Sequence, residues 1–298
     1  MAEAQQITEY SNSSITDYYQ LLKPRVMSLV VFTGLCGMLV APNAGAMHPF
    51  IAVLTVFCIA LGSGASGAIN MWYDRDIDII MERTKNRPIP AGRVDPNEAL
   101  GFGIIMAIVS VVLLSLATNF VAGGLLLAAI LFYVFIYTIW LKRRTPQNIV
   151  IGGASGAFPP MIGWAAVTGD VTLMPIVLFA IIFFWTPPHF WALSLLIKDD
   201  YKNAAVPMLP VVSGVRVTKI NIIVYTIILF AITLIPYLVG LSDWLYASVA
   251  TGMGAYFFYL SLRILGDKNN SYARKTFLFS ILYLFVLYLA LVIDTLFV

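Results

Sequence analysis

All 18 Lys and Arg residues of this 298-residue chain lie in alternate gaps between apolar stretches, and the other gaps hold none. Stretches suited to crossing about 30 Å of hydrocarbon run near 26–42, 49–72, 98–118, 120–140, 149–167, 172–196, 220–240, 244–262 and 276–296. The cations precede the first (Lys23, Arg25), then occupy 73–97 (Arg75, Arg83, Lys85, Arg87, Arg93) and 142–148 (Lys142, Arg143, Arg144). The rest lie in 197–219 (Lys198, Lys202, Arg216, Lys219) and 263–275 (Arg263, Lys268, Arg274, Lys275). The gaps near 43–48, 119, 168–171 and 241–243 have none. Cytoplasmic loops collect Lys and Arg. The expected fold is therefore all-α, a polytopic membrane bundle of nine transmembrane helices, with the amino terminus and charged loops cytoplasmic and the carboxyl terminus outside.

Only 11% of the residues are charged, against roughly 25% in soluble domains, so an integral membrane protein is expected and a nucleic-acid partner is not. Cys36 and Cys58 lie in apolar segments and read as small buried hydrophobes. Residues 1–22 hold no Lys or Arg but include Glu3, Glu9 and Asp17, unlike a signal or transit peptide. They are expected to form a cytoplasmic tail ahead of one transmembrane domain, 23–298. The first span is short, and Lys23 and Arg25 read as snorkelling anchors.

The second stretch closes on Asn70-Met-Trp-Tyr-Asp74-Arg-Asp76-Ile-Asp78. On a helix each four-residue step drifts only about 40°, so Asn70, Asp74 and Asp78 share one face and Asp76 points elsewhere. Carboxylate and amide oxygens at the mouth of a membrane helix are costly unless something positive meets them. A hard divalent cation carrying a phosphorylated ligand suits them; simple ion pairs with Arg83, Lys85 or Arg87 are the plainer alternative.

The 197–219 loop repeats this arrangement loosely. Asp199 and Asp200, flanked by Lys198 and Lys202, precede Pro207, Pro210, Gly214, Arg216 and Val217, as Asp74 and Asp78 precede Pro88, Pro90, Gly92, Arg93 and Val94. The spacing suits an internal repeat of helices 1–4 and 5–8, with helix 9 outside it. Two acidic mouths with interspersed cations suit one Mg²⁺-bridged diphosphate.

Two other matches fail on context. Gly62-Ser-Gly64-Ala-Ser-Gly67 has dinucleotide-binding spacing but lies inside an apolar span with no strand before it, so close helix packing is expected. Asp74-x-Asp76-x-Asp78 opens like a calcium loop, yet Ile79 stands where Gly is needed and Lys85 where Glu is needed. His189, in Trp185-Thr-Pro187-Pro188-His189-Phe-Trp191, has two readings. It is either a core histidine bonding backbone groups freed by the prolines, or a functional group at membrane depth such as a haem-iron ligand. His48 reads as an ordinary loop residue. Tyr137 lies about one turn inside the membrane from Lys142, so its hydroxyl is placed to face the same space; Arg144 reads as an anchor.

The Asn-x-x-x-Asp-x-x-x-Asp row followed by Glu82-Arg-Thr-Lys-Asn-Arg-Pro resembles the UbiA superfamily of intramembrane prenyltransferases. Tyr137–Pro160, Pro187-Pro188-His189-Phe-Trp191 and Asp200–Pro210 resemble one branch of it, the protohaem IX farnesyltransferases (haem O synthases). The resemblance runs from about Leu22 to the last helix. It implies helices around a central cavity capped by both acidic loops, in a bacterial inner membrane. It implies farnesyl transfer from farnesyl diphosphate to a vinyl group of haem b, with water addition, giving haem O. A haem A synthase or terminal oxidase assembly would be the downstream partner. Asn70, Asp74, Asp78 and Asp200 would hold Mg²⁺; Arg83, Lys85, Arg87, Lys198, Asp199 and Lys202 would bind the diphosphate; His189 would meet haem iron; Tyr137, Lys142 and Arg143 would line the cavity mouth. One departure is that Leu195 and Leu196 stand where other members carry the first aspartate of a second Asp-x-x-x-Asp, so Lys198 or Lys202 could contact phosphate directly. Rival readings are a prenyltransferase with an aromatic quinone-precursor acceptor, which gives His189 no use, and a transporter, which the nearly uncharged outer half disfavours.

Overall fold

The computed structural model describes residues 13–297, and over them the chain is all-helical. Residues 1–12 of the expected tail lie outside the described residues. Its remainder forms α1 (Ile15–Leu21), started by a capping box in which Ser14 Oγ accepts from Asp17 N. Leu21 is buried against Ala68, Met71 and Val94, so this segment is docked on the bundle.

The long helices are α2 (Pro24–Leu39), α3 (Pro49–Tyr73), α5 (Pro96–Ala117) and α6 (Phe120–Leu131), which runs on as a π-helix over Phe132–Leu141. After them come α7 (Asn148–Gly152) with α8 (Ala154–Thr168), α9 (Leu173–Leu196), α12 (Gly214–Thr233) with α13 (Ile235–Leu238), α14 (Trp244–Ile264) and α15 (Ser271–Phe297). The short helices α4 (Arg75–Asp78), α10 (Lys198–Asn203) and α11 (Leu209–Val212) belong to the two acidic loops. Among the described residues, seven helices are long and apolar enough to cross a membrane, and the bent α1–α2 pair makes up to eight. Trp244–Ile264 is a helix at the eighth predicted position but is less apolar, so nine is an approximate count.

Local signals set the helix starts. Pro49 and Pro96 occupy first-turn positions where no backbone N–H is needed, behind His48, whose Nδ1 accepts from Phe50 N, and Asp95, which accepts from Asn97 N at 2.7 Å. His48 is therefore a helix cap. Asn119 caps α6 through Ala122 N and donates to Ala165 O at 2.7 Å, tying α6 to α8. The buried Asp294 of α15 accepts from Asp243 N and Tyr246 N, capping α14 from outside.

Each long helix packs on the next, and α15 returns to α2, so the helices close a ring. One core joins α3, α5, α6 and α8 around Ile59, Leu114, Leu126 and Ile162; a larger one joins α2, α9, α14 and α15 around Leu178, Phe257 and Tyr283. Contact of α2 with α8 spans the ring. That approach requires glycine: a Cβ at Gly37 would overlap Pro160 O, and one at Gly163 would overlap Gly34 O. The Gly62–Gly67 segment also packs closely, with Gly62 against Leu126 and Ser110 and Gly64 against Leu22 and Met27. Ile105, Ile108 and Leu116 of α5 and Leu278, Leu282 and Phe285 of α15 are exposed on the outside of the ring. In water such surface would drive association; facing lipid, it belongs to an integral membrane protein.

Candidate active site

Asn70, Asp74 and Asp78 are 3%, 0% and 2% exposed. The helix is not continuous through them: α3 ends at Tyr73, Asp74 adopts φ −89° and ψ 6°, and α4 starts at Arg75. The four-residue ladder nevertheless bridges the break, with Asp74 N donating to Asn70 O at 2.9 Å and Asp78 N to Asp74 O at 2.8 Å. The shared face therefore survives. Each member meets a cation. Lys142 Nζ is hydrogen-bonded to Asp74 Oδ2, Arg87 Nη1 donates to Asp78 Oδ2 at 2.6 Å, and Lys23 Nζ donates to Asn70 Oδ1 at 2.6 Å. Asn70 Nδ2 donates to Asp74 Oδ2 at 2.7 Å and to Thr138 Oγ1 at 3.1 Å. A buried carboxylate is tolerated only when paired and hydrogen-bonded, and each aspartate of the row is.

Thr138 and Lys142 reach the row from the π-helix, whose last bond runs from Lys142 N to Tyr137 O. Long π-helical stretches are rare and gather at functional sites. Tyr137 lies in the same stretch, its ring 5.3 Å from that of Tyr133 and pressed on Gly152, where a side chain would collide with it.

Asp76 points outward, as its azimuth predicts, with 62% of its side chain exposed. Arg143 grips it with two hydrogen bonds of 2.7 and 2.6 Å, and also donates to Tyr73 O and covers the Tyr73 ring. The hydrogen-bonded Arg143 guanidinium holds the Asp76 carboxyl below the usual aspartate range. Arg143, expected to line a cavity mouth, is thus held on the rim by Asp76, with a longer 3.4 Å contact to Asp74. Lys85 pairs with Glu82 at 2.6 Å on the surface, and Arg83 is exposed beside it.

The two acidic loops meet. Ile77 and Met81 from the first pack in one cluster with Tyr201, Val206 and Met208 from the second, against Phe190 and Ile149. On α10, Asp199 and Lys202 are exposed and Lys198 and Asp200 half-buried. Asp200 does not converge with Asp74 and Asp78: among the described residues, no three of His, Cys, Asp and Glu come together at metal-binding distance.

His189 adjoins this cluster through Phe190. The prolines do not claim it: Nδ1 lies 2.6 Å from Ser280 Oγ on α15, not on a freed carbonyl. Its ring stacks on Trp185 at 4.3 Å and leans on Phe277 at 4.8 Å, while Trp185 Nε1 donates to Ser280 O. Ser280 Oγ donates its one proton to Phe277 O at 2.6 Å, so it accepts from His189 Nδ1–H, and the lone pair resides on Nε2.

Residues 30–288 match the model of the UbiA prenyltransferase family. The chain belongs to the UbiA prenyltransferase family. Among its relatives in this family, a protoheme IX farnesyltransferase from Granulibacter bethesdensis is 57% identical over 291 residues, 95% of this chain and 91% of that one. Another protoheme IX farnesyltransferase, from Rickettsia bellii, is 52% identical over 283 residues, 95% of this chain and 94% of that one. The fold resembles a digeranylgeranylglyceryl phosphate synthase structure, at a TM-score of 0.79 and 20% identity, covering 95% and 99% of the two chains. It also resembles an Archaeoglobus fulgidus UbiA homologue bound to DMAPP and Mg²⁺, at a TM-score of 0.62 and 17% identity, covering 93% and 99%.

The donor set of this UbiA member fits Mg²⁺. That ion usually takes one or two carboxylates and completes its shell with waters and substrate phosphate. Asp74, Asp78 and the Asn70 amide oxygen offer such a set; an all-protein cage is neither present among the described residues nor needed. Sequence reasoning passed over Thr138, Ser280 and the placement of Lys23. Thr138 and Ser280 are hydroxyls in apolar helices with no local signal, whereas Lys23 stood in view at the head of the first span.

Proposed function

We propose that this chain transfers the farnesyl group of farnesyl diphosphate to a vinyl group of haem b, with addition of water, giving haem O and diphosphate. The observation that carries the reading is 57% identity over 291 residues to a protoheme IX farnesyltransferase. The row adds chemical support, because buried oxygens and cations in one place suit a metal diphosphate. We assign the site to the cytoplasmic side of a bacterial inner membrane, on the strength of the one-sided cations.

In this reading Asn70, Asp74 and Asp78 hold Mg²⁺, which when bound supplies the charge that makes diphosphate a viable leaving group. Lys142 and Arg87, already seated on the aspartates, exchange part of that contact for phosphate oxygens. Arg83, Lys85, Lys198 and Lys202 supply further positive charge from the two loops, and Asp199 and Asp200 border it. The farnesyl C1–O bond breaks and its electron pair leaves with diphosphate. The vinyl π pair of haem b forms the new carbon–carbon bond. Water adds its oxygen to the carbon left electron-deficient and releases a proton. Aromatic faces such as Tyr133 and Tyr137 favour positive charge developing near the row. His189 presents Nε2 to haem iron and orients the vinyl group. Arg143, braced by Asp76, holds the rim.

Pigment extracted from membranes with and without the protein tests this. The expected result is a haem heavier than haem b by one farnesyl group and one hydroxyl group, formed only where the intact chain and farnesyl diphosphate are present. Haem b alone under those conditions overturns the reading.

A further inference from the structure

Lys23 joins α1 to α2 in a left-handed backbone conformation, φ 54° and ψ 55°, a region a non-glycine residue enters only at a cost. The bend is fixed from both sides. Lys23 N donates to Gln20 O, and Val26 N and Met27 N both donate to Lys23 O. It lies in a slot cut by small residues of α3: a Cβ at Gly67 would come within 3.3 Å of Lys23 Cδ and 3.4 Å of Leu21 O, and one at Gly64 within 2.9 Å of Leu22. This arrangement delivers the ammonium to Asn70 Oδ1 at 2.6 Å.

The cations on the row are not equivalent. Lys142 and Arg87 each neutralise a carboxylate. Lys23 meets a neutral amide and forms no ion pair among the described residues. Its charged surroundings are Arg87 and Lys142, of like sign, and Asp78 and Asp74, which those cations already hold. The row thus carries one cation more than its two aspartates balance. Bringing a charge into a half-buried site without a counter-ion is unfavourable, and here the backbone is strained to bring it. An interface anchor needs neither, since it could turn to water. A polyanion arriving at the row supplies the missing counter-charge.

We propose that Lys23 is a substrate-binding cation of the diphosphate site, supplied by the hinge between the amino-terminal helix and the first span. The proposal rests on the row being a diphosphate site, as argued above. When a prenyl diphosphate binds, the ammonium contacts a non-bridging phosphate oxygen and releases Asn70 Oδ1. The residue therefore couples docking of α1 to substrate binding.

The test measures binding of farnesyl thiodiphosphate, which resists ionisation, to purified wild type, K23M, K23Q and K23R with Mg²⁺ present, together with melting of each ligand-free protein. K23Q keeps a donor for Asn70 without the charge, so it folds if K23M does not. Loss of one charge-assisted contact predicts affinity about 10–100-fold weaker in K23M and K23Q, largely restored in K23R, with ligand-free melting of K23Q unchanged or raised. Wild-type affinity in K23Q, or K23Q melting lower while its affinity holds, overturns the proposal and makes Lys23 structural. Absence of binding by wild type overturns the diphosphate reading itself.

Discussion

Ser280 Oγ lies 2.6 Å from Phe277 O and 2.6 Å from His189 Nδ1, with one proton to give. The carbonyl takes that proton, so the serine fixes the histidine tautomer from a helix 91 residues away in sequence. Losing such an orienting partner typically weakens metal binding about 10–100-fold. In S280A, haem b affinity measured by Soret titration is expected to fall within that range with the ligation spectrum retained. H189A is expected to lose the ligation spectrum altogether. An unchanged spectrum in H189A removes the iron-ligand assignment.

Asp74 is fully buried with Lys142 upon it. Truncating one partner of a buried pair leaves a stranded charge and costs about 3–5 kcal/mol. D74A is therefore expected both to stop haem O formation and to lower thermal stability. Adding K142M in the same chain should recover stability but not product. Melting curves and pigment analysis of the single and double variants separate the two effects, and D78A is expected to stop product as well.

Asp76 carries a pH-dependent contribution of known sign. Arg143 lowers its folded-state pKa, so the stabilisation is fully present above the unfolded value of about 3.9 and is lost as pH falls through the lower folded value. The carboxylate is largely exposed, so screening limits the amount to roughly 0.2–1 kcal/mol. D76N should melt slightly below wild type at pH 7, with the gap closing only below about pH 4. A gap that widens on acidification would reverse the sign.

Gly37 and Gly163 allow α2 and α8 to touch backbone to backbone. Overpacking a tight contact costs about 1–3 kcal/mol. G37A and G163A are each expected to lower the melting temperature, read in detergent, while G45A, in open space, should not.

Much of the site could be read from residue spacing because it depends on helix periodicity. Asn70, Asp74 and Asp78 share a face through the i+4 ladder even where α3 breaks, and Asp76 leaves it by azimuth alone. The likeness between the two loops foreshadowed their meeting through Ile77, Met81, Tyr201 and Met208. What periodicity does not encode is which distant group turns inward. Lys23 read as an anchor because nothing local reports that Gly67 leaves room for its stem. The π-helix has no propensity signature, since Phe132–Leu141 is as apolar as its neighbours. Pro187 and Pro188 suggested a carbonyl partner for His189, yet the ring reached Ser280 across to another helix.

The crossing of α2 on α8 also governs how the molecule is made. The first span emerges about 120 residues before the helix that supplies Pro160 and Gly163, a wait of roughly 6–25 s at ordinary rates of synthesis. Its other long-range neighbour comes later still, for Phe32 meets Phe285 of the last helix at 4.6 Å. Until α8 arrives, a slender helix carrying Gly34 and Gly37 faces lipid with its backbone grooves unfilled. Assembly of this ring is therefore complete only when the final helix has entered the bilayer, although the Lys23 hinge at its start already has its α3 slot once the second span is made.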